Sequence, residues 1–548
     1  MSSRAALLAS AAGRRIMRLS EGNMTENTEA GKRQILQAAA IVMVLFVVSR
    51  LLGLAREMII GGRFGTSPDL DAYLAAYRLP DILFQLVAGG ALGSAFIPLF
   101  AGLLAQGRRR DAWRLASAVI NLVMLLLTAL ALLAGLLAPL LVRQIIAPGF
   151  SPAQQALTVQ LMRLMLLTPV IFGVSGIVMG VLNSSQHFLL PALAPAVYNL
   201  GIIGGALFLA PRLGVEGLAV GVVAGALLHL FVQLPALAHR DGFYAPVLGL
   251  RDPHVREVGR LMLPRVIGLA AVQLNFLVNT ILSSHMPAGS LAALNYGFML
   301  MLLPEGVFAQ AMATAAFPTF SAQVARGEMD AFRSTVSSTL RAILFLSVPA
   351  SVGLILLRRP LIEVLLQRGA FDAHSTEAVA LALGFYALGL AGHSAVEIMA
   401  RAFYSLHDTL RPVAVSLGGM VLNIVLSLVL SRPFEAGGLA YGGLALANSI
   451  ATLLEMAVLL ALLAGKTRGL PWRELALSAG RTLLASLAMG LVLWSFLYFL
   501  GHMNAWLVAG GGIVVGALAY LGTAAVLRAP EPAAMLRLMR GRQRAGRL

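Results

Sequence analysis

Three ionisable side chains interrupt the stretch VVSRLLGLAREMIIGGRFG at Val47–Gly65: Arg50, Arg56 and Glu57. Arginines suit anion binding. A guanidinium keeps its charge at any physiological pH and offers a planar fork of N–H donors that matches a phosphate or carboxylate edge. The stretch follows an apolar run, Ala38–Val48, with no polar residue. The charges therefore fall in the second half of a bilayer-sized helix, where each costs about 2.5–3.5 kcal/mol on insertion scales. Arg50, Gly53 and Glu57 share one helix face by their i, i+3, i+7 spacing. Arg56 lies about 120° round from Arg50, at roughly 100° per residue. Both guanidinium groups can reach one cavity, with Glu57 offsetting part of their charge and Gly53 leaving space. The competing reading has Arg56 snorkelling to the outer headgroups and Arg50 paired with Glu57 for packing alone.

These residues need elements to position them, and the composition says which kind. Hydrophobic residues make up 59% of the 548 and charged residues 12%, against roughly 45–50% and 25% in a soluble domain. Mean hydropathy is +0.84, so lipid must cover much of the surface. No cysteine occurs, which removes disulfides, thiolate metal sites and thiol chemistry. The net charge of +17 is spread mainly over connections between apolar runs. That is the positive-inside bias of a membrane protein rather than a nucleic-acid surface.

Apolar segments near the roughly 20 residues that a bilayer takes number fourteen, from 34–62 to 505–528. Even-numbered connections carry the positive charge: Arg108, Arg109, Arg110 and Arg114, then Arg240, Arg251 and Arg256, then Arg326 and Arg333, then Lys466, Arg468 and Arg473. Odd-numbered connections are poorer, the ninth with Arg358, Arg359 and Arg368 excepted. Both termini are thus expected in the cytoplasm. Residues 1–32 read as a disordered cytoplasmic tail and 531–548 as a basic one lying on anionic headgroups.

The chain matches itself at an offset of about 221: Pro139 with Pro360, Phe150 with Phe371, Pro191 with Pro412, and GLAVG at Gly217–Gly221 with GLAYG at Gly438–Gly442. At about 220, Pro98, Phe100 and Gly107 match Pro318, Phe320 and Gly327. Six spans per repeat is an even number, so the two halves share one orientation, related by an axis along the membrane normal. The expected fold is an all-α polytopic membrane protein. One six-helix lobe spans 33–250 and a second 251–470, around a central cavity that rocking opens to each side in turn. Two extra C-terminal helices follow at 471–530.

Other polar residues lie inside these spans. The second carries Arg78 and Asp81 beside Pro80, which removes a backbone hydrogen bond and can kink the helix. Gly89, Gly90 and Gly93 then permit close helix approach. The seventh carries Arg265, Gln273, Asn275 and Asn279, of which Arg265 suits the cavity and the cytoplasmic interface equally. In the tenth, Glu397 and Arg401 stand in the i, i+4 order that favours a structural ion pair. His393 reads as a packed interior residue, and Asn199 and Asn423 as bonding between helices. AGKT at Ala464–Thr467 lacks the glycine a phosphate-binding loop needs at 460, where Leu460 stands. No metal-ligand cluster or nucleophile–base motif appears, so the chain reads as a transporter without an ATPase, not as an enzyme.

SRLLGLAREMIIGGRFGTSPDLDAYLAAYRLPDILFQLVAGGALGSAFIPLFA, with LQRGAFDAHST and ARAFYSLHDTLRPV, resembles the MurJ (MviN) family of bacterial lipid II flippases over about residues 34–528. The resemblance implies fourteen helices in two lobes, within the multidrug/oligosaccharidyl-lipid/polysaccharide exporter superfamily. It implies a substrate, undecaprenyl-diphosphate-linked GlcNAc–MurNAc-pentapeptide (lipid II), moved by alternating access to the periplasmic leaflet of the bacterial inner membrane. It implies a cationic cavity for the diphosphate, in which Arg50 and Arg56 match the family's first-helix arginines, Glu57 its neighbouring acid and Asp71 the aspartate before the second helix. The last two helices would form a groove for the lipid tail. No cofactor is implied, only coupling to membrane potential or to Na+ or H+. The implied partners are lipid II, membrane lipids and the cell-wall synthesis machinery, with no nucleic acid. There are departures: family arginines of the second and eighth helices fall at Phe84 and Met299, and an acidic residue of the eighth at Leu302. Arg265 would supply a third charge from the opposite lobe. The alternatives are a flippase for another polyprenyl-linked glycan and a small-molecule antiporter of the same superfamily, which would want acidic residues in its cavity. A scaffold for cell-wall enzymes is a third reading, with loops too short to give partners much to hold.

Overall fold

The structure, a computed structural model, describes residues 41–87, 91–238, 242–435 and 440–532, with side chains over those ranges except 86–87, 91–94, 238, 263–272, 433–435 and 440. The expected tail at 1–32, most of that at 531–548, Gly89, Gly90 and the Arg265 side chain lie outside the described residues. Among the described residues every regular element is helical.

Among the described residues, eleven helices are long and apolar enough to cross a membrane. Their outer faces show why the chain needs lipid. On α4 (Arg109–Leu141), Leu125, Leu132, Leu133 and Leu136 are all more than half exposed, and in water such a stripe would aggregate. Of the C-terminal pair, α16 (Trp472–Leu500) carries a similar stripe through Leu483, Leu487, Leu491 and Trp494, and α17 (Ala505–Val526) exposes Leu507, Val514 and Leu518.

The first part of the chain forms α1 (41–64), α2 (Pro68–Val87), α3 (Ala91–Ala105), α4, α5 (Pro152–Met165), α6 (Leu167–Ser184), α7 (Leu189–Gly204) and α8 (Val215–Phe231). The second part forms α9 (Pro253–Ser284), α10 (Ser290–Glu305), α11 (Ala311–Ala325), α12 (Met329–Leu365), α13 (Ala373–Ser405), α14 (Leu410–Glu435) and α15 (Ala440–Lys466). Starts are set by side chains that satisfy the free N–H groups of a first turn. Asp252 accepts from His254 N at 2.9 Å, Asp372 from Ser375 N at 2.8 Å and Asn504 from Trp506 N at 2.9 Å. Ser151 and Gln154 form a capping box on α5.

The internal match is visible in local geometry. Helices α3 and α11 each place a proline, Pro98 or Pro318, within 15 residues and bury a phenylalanine, Phe100 or Phe320, completely. Each then turns through a glycine of positive φ, +75° at Gly107 and +72° at Gly327, into the long α4 or α12. Only glycine takes that backbone without strain.

Helices of each part pack chiefly among themselves: α2 on α5, α4 on α6 and α7 on α8; α10 on α13, α12 on α13 and α14 on α15. Between the parts, α9 packs on α2 and α3, and α10 on α2. α16 and α17 pack on each other and on α12. One end of this junction is closed by backbone contacts. Gly62 O accepts from Ala370 N at 2.8 Å, and Thr66 N donates to Ser375 Oγ at 3.2 Å. Gly65, at φ +58°, brings its Cα so close that a Cβ would stand 2.4 Å from Ala370 O.

Candidate functional site

α1 runs along the junction, and its charged turn sits where α7 and α10 approach. Arg56 is held by three bonds. Its Nε and Nη2 donate to Glu57 Oε1 at 3.1 and 2.5 Å, and Nη1 donates to Asn199 Oδ1 of α7 at 3.0 Å. Asn199 donates its Nδ2 to the Ser49 carbonyl at 3.3 Å, so one side chain fixes both the arginine and the α1–α7 distance. Arg50 behaves differently. It is exposed, its guanidinium lies 5.2 Å from the Phe46 ring centre, and no hydrogen bond or ion pair engages it among the described residues.

Arg50, Arg56 and Glu57 line one cavity of about 600 Å³, together with Ser49, Gly53, Asn199, Pro195, Met299 and Leu303. That volume suits a ligand of small-molecule size, enough for a charged headgroup portion with its long tail left outside. Two guanidinium groups and one carboxylate leave one surplus positive charge. Arg56 has three of its five N–H donors engaged, and Arg50 has all five free. An anion entering the cavity would find a free bidentate donor in Arg50 and a prepositioned charge in Arg56.

Apart from Gly53, the remaining candidate residues do not join this constellation. Asp71 is buried and caps α10 from α2: Oδ2 accepts from Gly289 N at 2.6 Å and Oδ1 from Ala292 N at 2.8 Å. It is a clamp between the two parts of the chain, not a residue lining the arginine cavity. Arg78 crosses the same junction, donating Nε to Thr280 Oγ1 at 3.2 Å with its guanidinium over Phe276, and Asp81 is its electrostatic neighbour. Pro80 is buried within α2. On α9, Gln273 is buried with Oε1 unpaired, Asn275 Oδ1 accepts from Asn423 Nδ2 at 3.1 Å, and Asn279 is half-buried, its carbonyl taken by Ser283. Gly53 is not required for space, because a Cβ there would fit, meeting Asn199 Nδ2 at 3.8 Å, an ordinary contact. Glu397 and Arg401 are paired at 2.7 Å. His393 Nε2 lies 3.1 Å from Asn448 Oδ1. Met299 lines the arginine cavity, whereas Phe84 packs on Phe172 at 5.0 Å between ring centres, away from it. Leu302 is exposed on α10.

Asn199 bonds between helices, as its sequence suggests, but its arginine partner is not legible there, and a buried carboxylate, Glu305, escapes a reading of the sequence. Asn199 bonds directly to Arg56, 143 positions away in the chain. Glu305 is buried at the end of α10. Its signal is a carboxylate in PEG at Pro304–Gly306, deep inside an apolar segment.

Comparison with known proteins places this architecture. The family model described as lipid II flippase MurJ matches residues 60–509. The chain belongs to the MurJ family. A probable lipid II flippase MurJ of Vibrio cholerae is 30% identical over 441 residues, 78% of this chain and 82% of that protein. The lipid II flippase MurJ of Burkholderia cenocepacia is 31% identical over 399 residues, 71% of this chain and 77% of that one. A solved lipid II flippase MurJ in an inward closed conformation superposes with a TM-score of 0.76 at 25% identity, over 89% of this chain and 98% of that chain. An inward-facing MATE multidrug transporter shares the fold at a TM-score of 0.63 and 14% identity, over 78% of this chain and 98% of that one. The chain is thus a multi-pass membrane protein of a transporter family. The MurJ match begins just beyond Arg56 and Glu57, so the arginine cavity stands on its own geometry.

Proposed function

We propose that this chain flips lipid II, the undecaprenyl-diphosphate-linked peptidoglycan precursor, from the cytoplasmic to the periplasmic leaflet of the bacterial inner membrane. The observation that carries the reading is the cavity in which Arg50, unpaired, and Arg56, held by Glu57 and Asn199, face one volume in a chain of the MurJ family. A diphosphate offers the paired oxygens that a free guanidinium takes bidentately. Membership of the family supports a fourteen-helix arrangement: the eleven apolar helices joined by the segments through α1, α2–α3 and α9. In that arrangement two six-helix lobes enclose the cavity, both termini are cytoplasmic, and the pair α16–α17 offers its apolar stripe to the lipid tail. The backbone seal at Gly62–Thr66 then lies on the periplasmic side, and the cavity is reached from the cytoplasm. Flipping runs by alternating access, driven by membrane potential or a cation gradient, without ATP.

The test is replacement of the sole lipid II flippase of a bacterium by this chain, with the leaflet accessibility of lipid II as readout. Growth and periplasmic exposure of lipid II are expected. Failure despite full membrane expression would contradict the reading. A second reading, a flippase for another polyprenyl-linked glycan, is favoured by Met299, which lines the cavity where the family resemblance calls for an arginine. Rescue of a glycan-flippase mutant instead of the lipid II flippase mutant would select it.

A further inference from the structure

Glu305 closes α10 near the midpoint of the apolar helical segment Ser290–Ala325, about 22 Å from its start at 1.5 Å per residue. Its side chain is 9% exposed and has no hydrogen-bond or ion-pair partner among the described residues. The charged group within its electrostatic reach is another carboxylate, Glu397 of α13, already paired with Arg401 at 2.7 Å. Several other ionisable groups on the helices packed around α10 are engaged elsewhere, Arg358 among them on the Ile355 carbonyl. His393 turns to Asn448 and Thr452, Glu455 accepts from Ser416, Arg341 pairs with Glu474, Asp71 takes backbone N–H groups and Arg78 meets Thr280. Two carboxylates with one guanidinium leave one negative charge inside a membrane-spanning bundle. Burying an unpaired charge there costs far more than neutralising it.

We propose that Glu305 is a proton-binding site, sharing one proton with Glu397 in a cluster balanced by Arg401. A proton taken from water forms an O–H bond on the Glu305 carboxyl and brings the cluster to neutrality; its release leaves the carboxylate. The site is placed to feel conformation. Directly after Glu305 the helix widens into a π turn, Gly306–Gln310, a feature common at functional positions. The opposite end of the same helix is held by Asp71 across the junction. Opening that junction would move α10 against α13 and alter the Glu305–Glu397 approach. The role in transport rests on the flippase reading, whereas proton binding does not.

The experiment is infrared difference spectroscopy of the purified full-length chain in lipid nanodiscs at pH 7, reading the protonated carboxyl C=O band. The wild type should show a band that Glu305→Gln removes by one carboxyl's worth and that the exposed control Glu216→Gln leaves alone. Glu397→Gln should also remove it, because Arg401 is then free to pair with an ionised Glu305. A band unchanged in Glu305→Gln, or one that persists in Glu397→Gln, would overturn the shared site. In the replacement bacterium, lipid II exposure should fall when the pH gradient is collapsed at constant potential. A chain that shows the band yet exposes no lipid II would sink the flippase reading and keep the proton site. A chain that exposes lipid II without the band would do the reverse.

Discussion

The two charged clusters of the molecule are opposites. In the first part of the chain, Arg50, Arg56 and Glu57 combine two cations with one anion, and the surplus positive charge faces a cavity of about 600 Å³. In the second, Glu305, Glu397 and Arg401 combine two anions with one cation, and the odd carboxylate belongs to a buried side chain, 9% exposed, without a partner among the described residues. A surplus charge with open space beside it can wait for a ligand, because water screens it until the ligand arrives. A surplus charge without space must be neutralised where it sits. The contrast separates a substrate site from a proton site by burial alone, with similar residue types in both.

The largest expected effect breaks the first cluster. Removing one partner of a close charge pair costs about 2–5 kcal/mol, so Arg50→Ala should weaken binding of a diphosphate lipid at least about 30-fold, read by titration of the purified chain. Next comes the contrast among buried acids. Asp71 has both oxygens on backbone N–H groups, so Asp71→Asn leaves one of them without an acceptor, a cost of about 1–3 kcal/mol, and lowers Tm. Glu305→Gln, which breaks no bond, should leave Tm at pH 7 unchanged. Equal losses in the two variants would erase the distinction between a clamp and a proton site.

These expectations also show what the sequence made legible. Arg50, Arg56 and Glu57 stand out because charge in an apolar run is costly, and the same logic leads to the helical, lipid-covered fold. The family resemblance puts Asp71 with the cavity, yet it caps a helix that begins more than 200 residues later; spacing along α2 carries no trace of that partner. Asn199 reads in the sequence as bonding between helices, and it does so to the Ser49 carbonyl, but its bond to Arg56 depends on how α7 meets α1 and leaves no trace in spacing. Glu305 is passed over in a run whose proline and glycine draw attention to the backbone. The glycine match Gly107–Gly327, by contrast, keeps its meaning from sequence to structure because a positive φ ties it to one residue type.

A smaller effect sharpens the role of Asn199. It supplies one charge-assisted bond to Arg56, so Asn199→Ala should cost about 1.5–3 kcal/mol in diphosphate-lipid affinity or stability, less than Arg50→Ala costs in binding. The smallest belongs to Gly53. A Cβ there meets only Asn199 Nδ2 at 3.8 Å, so Gly53→Ala should leave both binding and Tm within about 0.5 kcal/mol of wild type. Gly65→Ala should instead be strongly destabilising, read in the same melts, because its Cβ would stand 2.4 Å from Ala370 O.

The central claim is that the free guanidinium of Arg50 takes the diphosphate of lipid II. The direct measurement is equilibrium binding of lipid II to the purified chain, wild type beside Arg50→Ala and Arg50→Lys, at two salt concentrations. The account predicts a loss of at least about 30-fold for Arg50→Ala, partial recovery with Arg50→Lys, which keeps the charge but not the fork, and weaker wild-type binding at higher salt. Lipid II binding that is unchanged in Arg50→Ala and indifferent to salt would contradict it.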